Sequence, residues 1–383
     1  MAVAHLCSPS LRPIPPLRAA VVSPIGVRLP KHACSLLGGG GGGKRRSQSW
    51  AVEFSLAEKT PTKSTVDVDS LVDFLYEDLP HLFDDQGIDR TAYDERVRFR
   101  DPITKHDTIA GYLLNIALLK VVFRPLFQLH WVKKTGPYEI TTRWTMVMTF
   151  MPLPWKPELV FTGTSVMGVN PDNGKFCSHV DYWDSIKQND YFSLEGLLDV
   201  IKQLRYYKTP ELDTPKYQIL KRTAKYEVRK YEPFLVAETS GDKLSGSKGF
   251  NDIAGYIFGK NSSEEKIPMT TPVFTQALDS EMSKVSIQFS LPLDKDFSSL
   301  PKPNQETISL KKVEGGIVAA IKFSGKPTED IVLEKEKELR SGLITDGLRP
   351  KSGCLLARYN DPRTKTFIMR NEVLIWLEQF SLE

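Results

Sequence analysis

The sequence has no histidine after His179 and no aspartate or glutamate before Glu53, although it runs to 383 residues. The first absence leaves the C-terminal half without an imidazole for metal ligation or for proton transfer near neutral pH. The second leaves residues 1–52 with seven positive charges, Arg12, Arg18, Arg28, Lys31, Lys44, Arg45 and Arg46, and none of opposite sign. Cysteine is scarce: Cys7, Cys34, Cys177 and Cys354 are scattered without CxxC spacing, which argues against a zinc ribbon or a disulfide framework. A long apolar run is also missing. The best candidate, residues 113–131, is broken by Lys120, Arg124 and Pro125, short of the ~20 apolar residues of a spanning helix. HExxH, GxSxG, P-loop and GxGxxG motifs do not occur in the contexts they require, which disfavours metalloproteases, common hydrolases and nucleotide-dependent enzymes.

What is present starts with the leader. Residues 1–52 combine Ser, Pro, Ala and Arg without acid, the composition of an organelle transit peptide. A secretory signal needs a continuous apolar core, and the best one here, residues 19–22, stops at Ser23 and Pro24. Residues 38–43 are all glycine and could not continue the amphipathic helix of a mitochondrial presequence, so the chloroplast, with the stroma as destination, is expected over the mitochondrion. Without the leader the formal charge falls from +4 to −3, and a mildly acidic chain is a poor nucleic-acid binder. The remainder, in a sequence 40% hydrophobic and 26% charged, has the length of two domains of ~150 residues.

Residues 53–67 read as a flexible segment around Pro61, ahead of a first domain over 68–205. Asp69 is the predicted N-cap of an amphipathic helix carrying Leu71, Val72, Leu75 and Leu79. A short strand over 95–99 stops at Asp101-Pro102, and a second helix follows over 107–122. Alternation then predicts strands over 128–134, 139–151, 159–170 and 175–184, with turns at Gly136-Pro137 and at 170–174. Helices followed by an antiparallel meander predict an α+β domain in which a curved sheet wraps a helix. With FRDP from Phe99 and SHVDYWD from Ser178, this region resembles the nuclear-transport-factor-2-like cone fold and, more closely, the plant and cyanobacterial domain of unknown function 2358. The resemblance implies a cone-shaped α+β domain and brings no activity with it.

A linker over 206–216, interrupted by Pro210 and Pro215, leads to a second domain over 217–383. Its predicted strands cover 226–231, 234–239, 316–323, 354–359 and 372–377. One helix is predicted over 250–258, with Phe250, Ile253, Ala254, Ile257 and Phe258 along one face, and another runs from a Thr328 cap to residue 339. FLVAETSG from Phe234 and IVAAIKFSG from Ile317 are each an apolar strand with a Ser-Gly exit that feeds a helix. They are either a degenerate internal duplication or two unrelated strand-to-helix turns.

YEVRKYEPFLVAET from Tyr226, GFNDIAGYIFGKN from Gly249, EKIPMTTPVFT from Glu265 and YNDPRTKTFIMRNEV from Tyr359 together resemble the SOUL family of haem-binding proteins over 217–377. With the leader and first domain, the whole chain resembles a plant chloroplastic SOUL protein that carries a domain of the 2358 type. The resemblance implies a distorted antiparallel β-barrel with two flanking helices, built from two pseudo-repeats. It further implies reversible, non-covalent binding of haem or a related porphyrin in a hydrophobic groove, as carrier, buffer or scavenger, with an enzyme of tetrapyrrole metabolism as partner. All six histidines (His5, His32, His81, His106, His130, His179) precede this region, so haem held there would have no His ligand. Binding would rest on burial of the porphyrin faces and on cations beside the propionates. The candidate groove residues are Phe250, Ile253, Ile257, Lys260, Lys266 and Met269, Met269 as a weak axial ligand or as core filler. Plainer readings make the apolar helix face a core face and the lysines solvated charges. Cys354 reads as core, and Tyr226, Tyr231, Tyr256 and Tyr359 are phenolate candidates or packed strand residues.

An enzyme in the first domain is the alternative. His179, Asp181 and Trp183 fall on one strand face, where a His and a carboxylate two apart could act as general base and orienter, with Arg143 and Asp101 as further polar candidates and the second domain as a sensor. Alternating polar residues also mark the wet face of an antiparallel sheet. The apolar stretch 118–127 is a candidate for peripheral contact with the thylakoid or a plastoglobule.

Overall fold

The computed structural model describes residues 66–207, 211–246, 249–279 and 284–382, so the leader over 1–52 lies outside the described residues. Helix α1 (Val68–Asp78) starts at Asp67, whose carboxylate accepts from the backbone N–H groups of Asp69 and Ser70, two residues earlier than predicted. Strands β1 (Tyr93–Arg100) and β2 (Lys105–His106) precede α2 (Ile109–Val122), which the Thr108 hydroxyl caps at Gly111 N. Then come β3 (Phe123–Gly136), β4 (Glu139–Phe150), β5 (Glu158–Val169), β6 (Phe176–Trp183) and α3 (Leu194–Leu204). The sheet order is β2-β1-β6-β5-β4-β3, antiparallel except for β1 against β6. Pro125 lies inside β3, which is tolerated because β3 is an edge strand and needs no N–H there. The sheet curls over α1 and α2, burying Leu75, Tyr93, Val97, Ile109, Ile140, Met167 and Phe176 between them.

Helix α3 has inverted amphipathicity. Leu194, Leu198 and Ile201 are exposed, whereas Asp199 and Gln203 are buried. The inversion is stabilised from outside the helix. Arg222 makes a two-pronged ion pair with Asp199 at 2.7 and 2.9 Å, and the Gln203 amide oxygen accepts from Val160 N at 2.7 Å.

The C-terminal sheet contains β7 (Tyr217–Arg222), β8 (Glu227–Tyr231), β9 (Phe234–Ser240), β10 (Val273–Ala277), β11 (Val285–Ser290), β12 (Ser309–Val313), β13 (Gly316–Ser324), β14 (Cys354–Arg358) and β15 (Arg370–Trp376). Helices α4 (Phe250–Ile257) and α5 (Glu329–Thr345) flank it. Its order is β12-β9-β11-β10-β14-β15-β13-β8-β7, all antiparallel. Apart from β7, this order is symmetric: β8-β9-α4-β10-β11 and β12-β13-α5-β14-β15 are two copies of one ββαββ unit, related by a pseudo-twofold between β10 and β14. Each unit lends its first strand to the other, β8 to β13 and β12 to β9. The Phe234 and Ile317 segments occupy equivalent places, as a duplication requires. Gly249 starts α4 at φ +87°, where a Cβ would sit 2.7 Å from the Ser240 carbonyl oxygen, so the turn needs glycine.

One face of this sheet buries charge. The fully buried Arg229 guanidinium donates to Glu372 at 2.6 and 2.9 Å and to Glu227 at 2.7 and 2.9 Å, and it lies 4.5 Å from the Tyr217 ring centroid. Lys322 donates to Glu227 at 2.5 Å, Arg370 to Glu372 at 2.7 Å, and the Tyr359 hydroxyl to Glu372 at 2.8 Å. Three cations thus share two buried carboxylates. Burial alone would push the Glu227 carboxyl up, but Lys322 and Arg229 outweigh it and hold it down at about 2. Glu372 is held well below the usual carboxylate range against the same penalty, by Arg229 and Arg370.

Polar contacts join the two sheets. Arg143 makes a two-pronged pair with Asp184 at 2.8 and 2.6 Å and donates to Leu220 O at 3.2 Å, while Thr145 Oγ1 donates to Ile219 O at 2.8 Å. His130 shares a 2.8 Å hydrogen bond with Thr145 Oγ1, and burial, then Arg143, lowers its pKa to about 4. The predicted linker therefore connects domains that already grip each other through β7.

Candidate functional site

The N-terminal domain holds a cavity of about 60 Å³ lined by Phe99, Asp101, Tyr112, Thr142, Ser165, His179, Asp181 and Trp183 among others. The period of two on β6 places His179, Asp181 and Trp183 on this face together, as the sequence predicts. Arg143 is the correction. On β4 its neighbours Thr142 and Trp144 face the cavity, so alternation turns Arg143 to the opposite side, against Asp184 and β7.

The hydrogen bonds also assign roles. His179 Nε2 lies 2.9 Å from Asp181 Oδ1 and Nδ1 lies 3.2 Å from the Tyr112 hydroxyl. A neutral ring donating from Nε2 to the carboxylate and accepting at Nδ1 satisfies both contacts, which leaves His179 no nitrogen for a substrate. Asp181 Oδ1 also accepts from Ser165 Oγ at 2.6 Å, and Ser165 Oγ accepts from Trp144 Nε1 at 2.8 Å. Asp181 Oδ2 has no protein donor among the described residues. His179 and Ser165 thus hold Asp181 in place through one oxygen. Asp101 faces the same cavity with its pKa raised by burial, against the lowering effect of Thr104, and raised further by the charge of Asp181. Both Asp101 oxygens are engaged by the following turn, Oδ1 accepting from Ile103 N at 2.6 Å and Thr104 N at 2.5 Å and Oδ2 from Thr104 Oγ1 at 2.7 Å. Tyr112, Ser165 and Thr142, whose buried hydroxyl has no partner, carry no sequence signal that separates them from ordinary core positions.

The expected groove beside α4 is filled. Ile253 and Ile257 are each 1% exposed and pack with Ala237, Ile287, Phe289 and Leu291. Phe250 is half-buried, while Lys260, Lys266 and Met269 are exposed. The face that would cover a porphyrin already covers the sheet, and the cations remain outside it. The side chains of Leu118, Val121 and Leu126 are exposed, so the 118–127 stretch does present apolar surface.

A larger cleft, about 470 Å³, opens between the domains, within the range of about 300–1000 Å³ typical of ligand sites. Its floor is Ile321 to Ser324 of β13 with Tyr226 and Glu227, and its walls come from the end of α3 and the segment after it, from the β7–β8 turn, from α5 and from Arg370. Trp155, Tyr207 and Phe367 form an aromatic row at this junction, with centroid spacings of 5.3 and 6.1 Å. Among the described residues, seven cationic side chains line the cleft against three carboxylates. Sequence reasoning missed all of them because they look like ordinary surface lysines and arginines.

Taken together, the chain is a two-domain α+β protein in which a cone precedes a pseudo-duplicated curled antiparallel sheet. The family model described as SOUL heme-binding protein matches residues 212–376, and that described as uncharacterized conserved protein DUF2358 matches residues 69–179. Heme-binding protein 2 of Homo sapiens is 30% identical over 163 residues, which cover 40% of this chain and 78% of that protein. Among solved structures, a hydrolase from Listeria innocua is similar at 15% identity and a TM-score of 0.31, covering 40% of this chain and 92% of that one. An NTF2-like protein of unknown function from Exiguobacterium sp. 255-15 is similar at 14% identity and a TM-score of 0.22, covering 25% and 80%. The chain belongs to the SOUL heme-binding family.

Proposed function

We propose that this protein binds haem or a related tetrapyrrole reversibly in the plastid, as a carrier, buffer or scavenger that exchanges its cargo with an enzyme of tetrapyrrole metabolism. Membership of the SOUL family carries the reading. The acid-free, Arg- and Ser-rich leader supports the plastid, and the lack of histidine over 212–376 supports a site without an imidazole–iron bond. Such a site holds the cargo by its faces and its carboxylates, so iron adds little. Titration of the full chain followed by absorbance and fluorescence should give affinities for haem and for iron-free protoporphyrin within about threefold of each other. A preference for haem above roughly thirtyfold, lost on His130→Ala or His179→Ala, would place the ligand on an imidazole and sink the His-free reading.

The carboxylate of Asp181, held by His179 and Ser165 in a cavity, favours a second reading, a small-molecule enzyme in the cone with the C-terminal domain as its sensor. A cavity of about 60 Å³ admits only a small group. Proton abstraction beside a carbonyl is the chemistry that fits a positioned carboxylate. Deuterium exchange into acetone, followed by NMR with the full chain, should fall at least about 100-fold on Asp181→Asn. No exchange above buffer with the unaltered chain removes this reading.

A further inference from the structure

Four of the cations lining the interdomain cleft are neutralised by the protein itself: Arg222 by Asp199, Lys322 by Glu227, Lys335 by Glu338 and Arg370 by Glu372. The other three are not. Lys202 donates only to the Ala224 carbonyl at 2.8 Å, and Arg205 and Lys225 are exposed with no side-chain partner among the described residues. Against these three stands one lining carboxylate without an ion-pair partner there, Glu158. The unpaired cations come from the end of α3 and from the β7–β8 turn, so they lie on neighbouring walls of one cavity, above a floor that includes Ile321, Phe323 and Tyr226 and beside Tyr206 and Tyr207. A surface that keeps uncompensated positive charge beside apolar and aromatic area suits a ligand with a flat apolar body and carboxylates at one edge. Phosphate alone would leave the aromatic walls uncovered. A neutral apolar ligand would leave the cations unused.

Resting on the tetrapyrrole reading above, we infer that the interdomain cleft, rather than the filled face of α4, receives the ligand, with Lys202, Arg205 and Lys225 meeting its carboxylates. Among the described residues no histidine, cysteine or methionine lines the cleft, so recognition there is of the carboxylates and the ring faces. Because α3 belongs to the first domain and β13 and α5 to the second, the ligand would contact both, which gives the N-terminal domain a part in binding.

The test is a cycle on the full chain between protoporphyrin, with two free carboxylates, and its dimethyl ester. The unaltered protein should bind the diacid at least about tenfold more tightly than the ester. Arg205→Glu with Lys225→Glu should erase that preference, weakening the diacid at least about tenfold and leaving the ester within about twofold. Both positions are exposed and unpaired, so the fold does not depend on them. If the diacid binds the double variant as tightly as the unaltered chain, the inference fails while the tetrapyrrole reading stands. It fails in the same way if charge reversal at Lys260 and Lys266 abolishes the preference instead. Failure of the unaltered chain to bind either compound overturns both.

Discussion

Replacement of Arg229 by methionine is expected to destabilise the protein by about 3–5 kcal/mol, read as a lower urea midpoint by circular dichroism. Arg229 is fully buried, and four of its hydrogen bonds go to two buried carboxylates: Glu372 is 0% and Glu227 4% exposed. Methionine fills much of the same volume, so the loss is not mainly one of packing. It is the cost of leaving two buried carboxylates facing each other with only Lys322 and Arg370 as counter-charges. If that account is right, Glu372→Gln should recover part of the loss in the Arg229→Met background, although alone it destabilises. A midpoint shift equivalent to less than about 1 kcal/mol would show that the network is dispensable to the fold.

Acid should attack the same place. A carboxyl held below its ordinary value stabilises the fold above that ordinary value and loses its contribution as the pH falls through the folded one. For Glu227 the window runs from 4.5 down to about 2, and the depression corresponds to about 3 kcal/mol. Glu372 acts in the same direction. His130 adds an earlier loss: its neutral ring is favoured in the fold, so stability declines as the pH drops from 6.5 toward about 4. Asp101 and Asp78 have the opposite sign, because burial raises both, and protonation relieves a penalty in the cone. The urea midpoint should therefore fall steeply between pH 4.5 and 2, and Glu227→Gln should flatten that slope while lowering stability at neutral pH. An unchanged slope in the variant would mean that other groups govern acid unfolding.

Some of this was legible in the primary structure because period and turn chemistry are local. Alternation in 139–151 and 159–170 foretold β4 and β5 to within a residue or so, and the same rule put His179, Asp181 and Trp183 on one face. Repeated Ser-Gly exits marked equivalent strands of two pseudo-repeats, and the motifs from Tyr226 to Val373 identified the family. Other elements were hidden for stated reasons. β11 alternates strictly, Val285-Ser286-Ile287-Gln288-Phe289-Ser290, yet all six residues are buried, so its polar positions do not mark a wet face, and α3 points its leucines outward because Arg222 and Val160 N recruit Asp199 and Gln203 inward.

The sites depended on the fold still more. Sequence placed His179 beside Asp181 but could not supply Tyr112, 67 residues away, whose hydroxyl occupies the second ring nitrogen and leaves Asp181 as the free group. It offered the face of Ile253 and Ile257 as a groove wall or as a core face, and in the fold the face packs on the sheet. The cleft was invisible because Arg205, Lys225, Lys322 and Arg370 come from separate segments, each an ordinary charge until two domains bring them together. Family, element periodicity and the absence of C-terminal histidine were properties of the chain by itself. Which polar groups are paired, which are left open and what they face came only from the tertiary structure, because burial and charge compensation are set by neighbours distant in sequence.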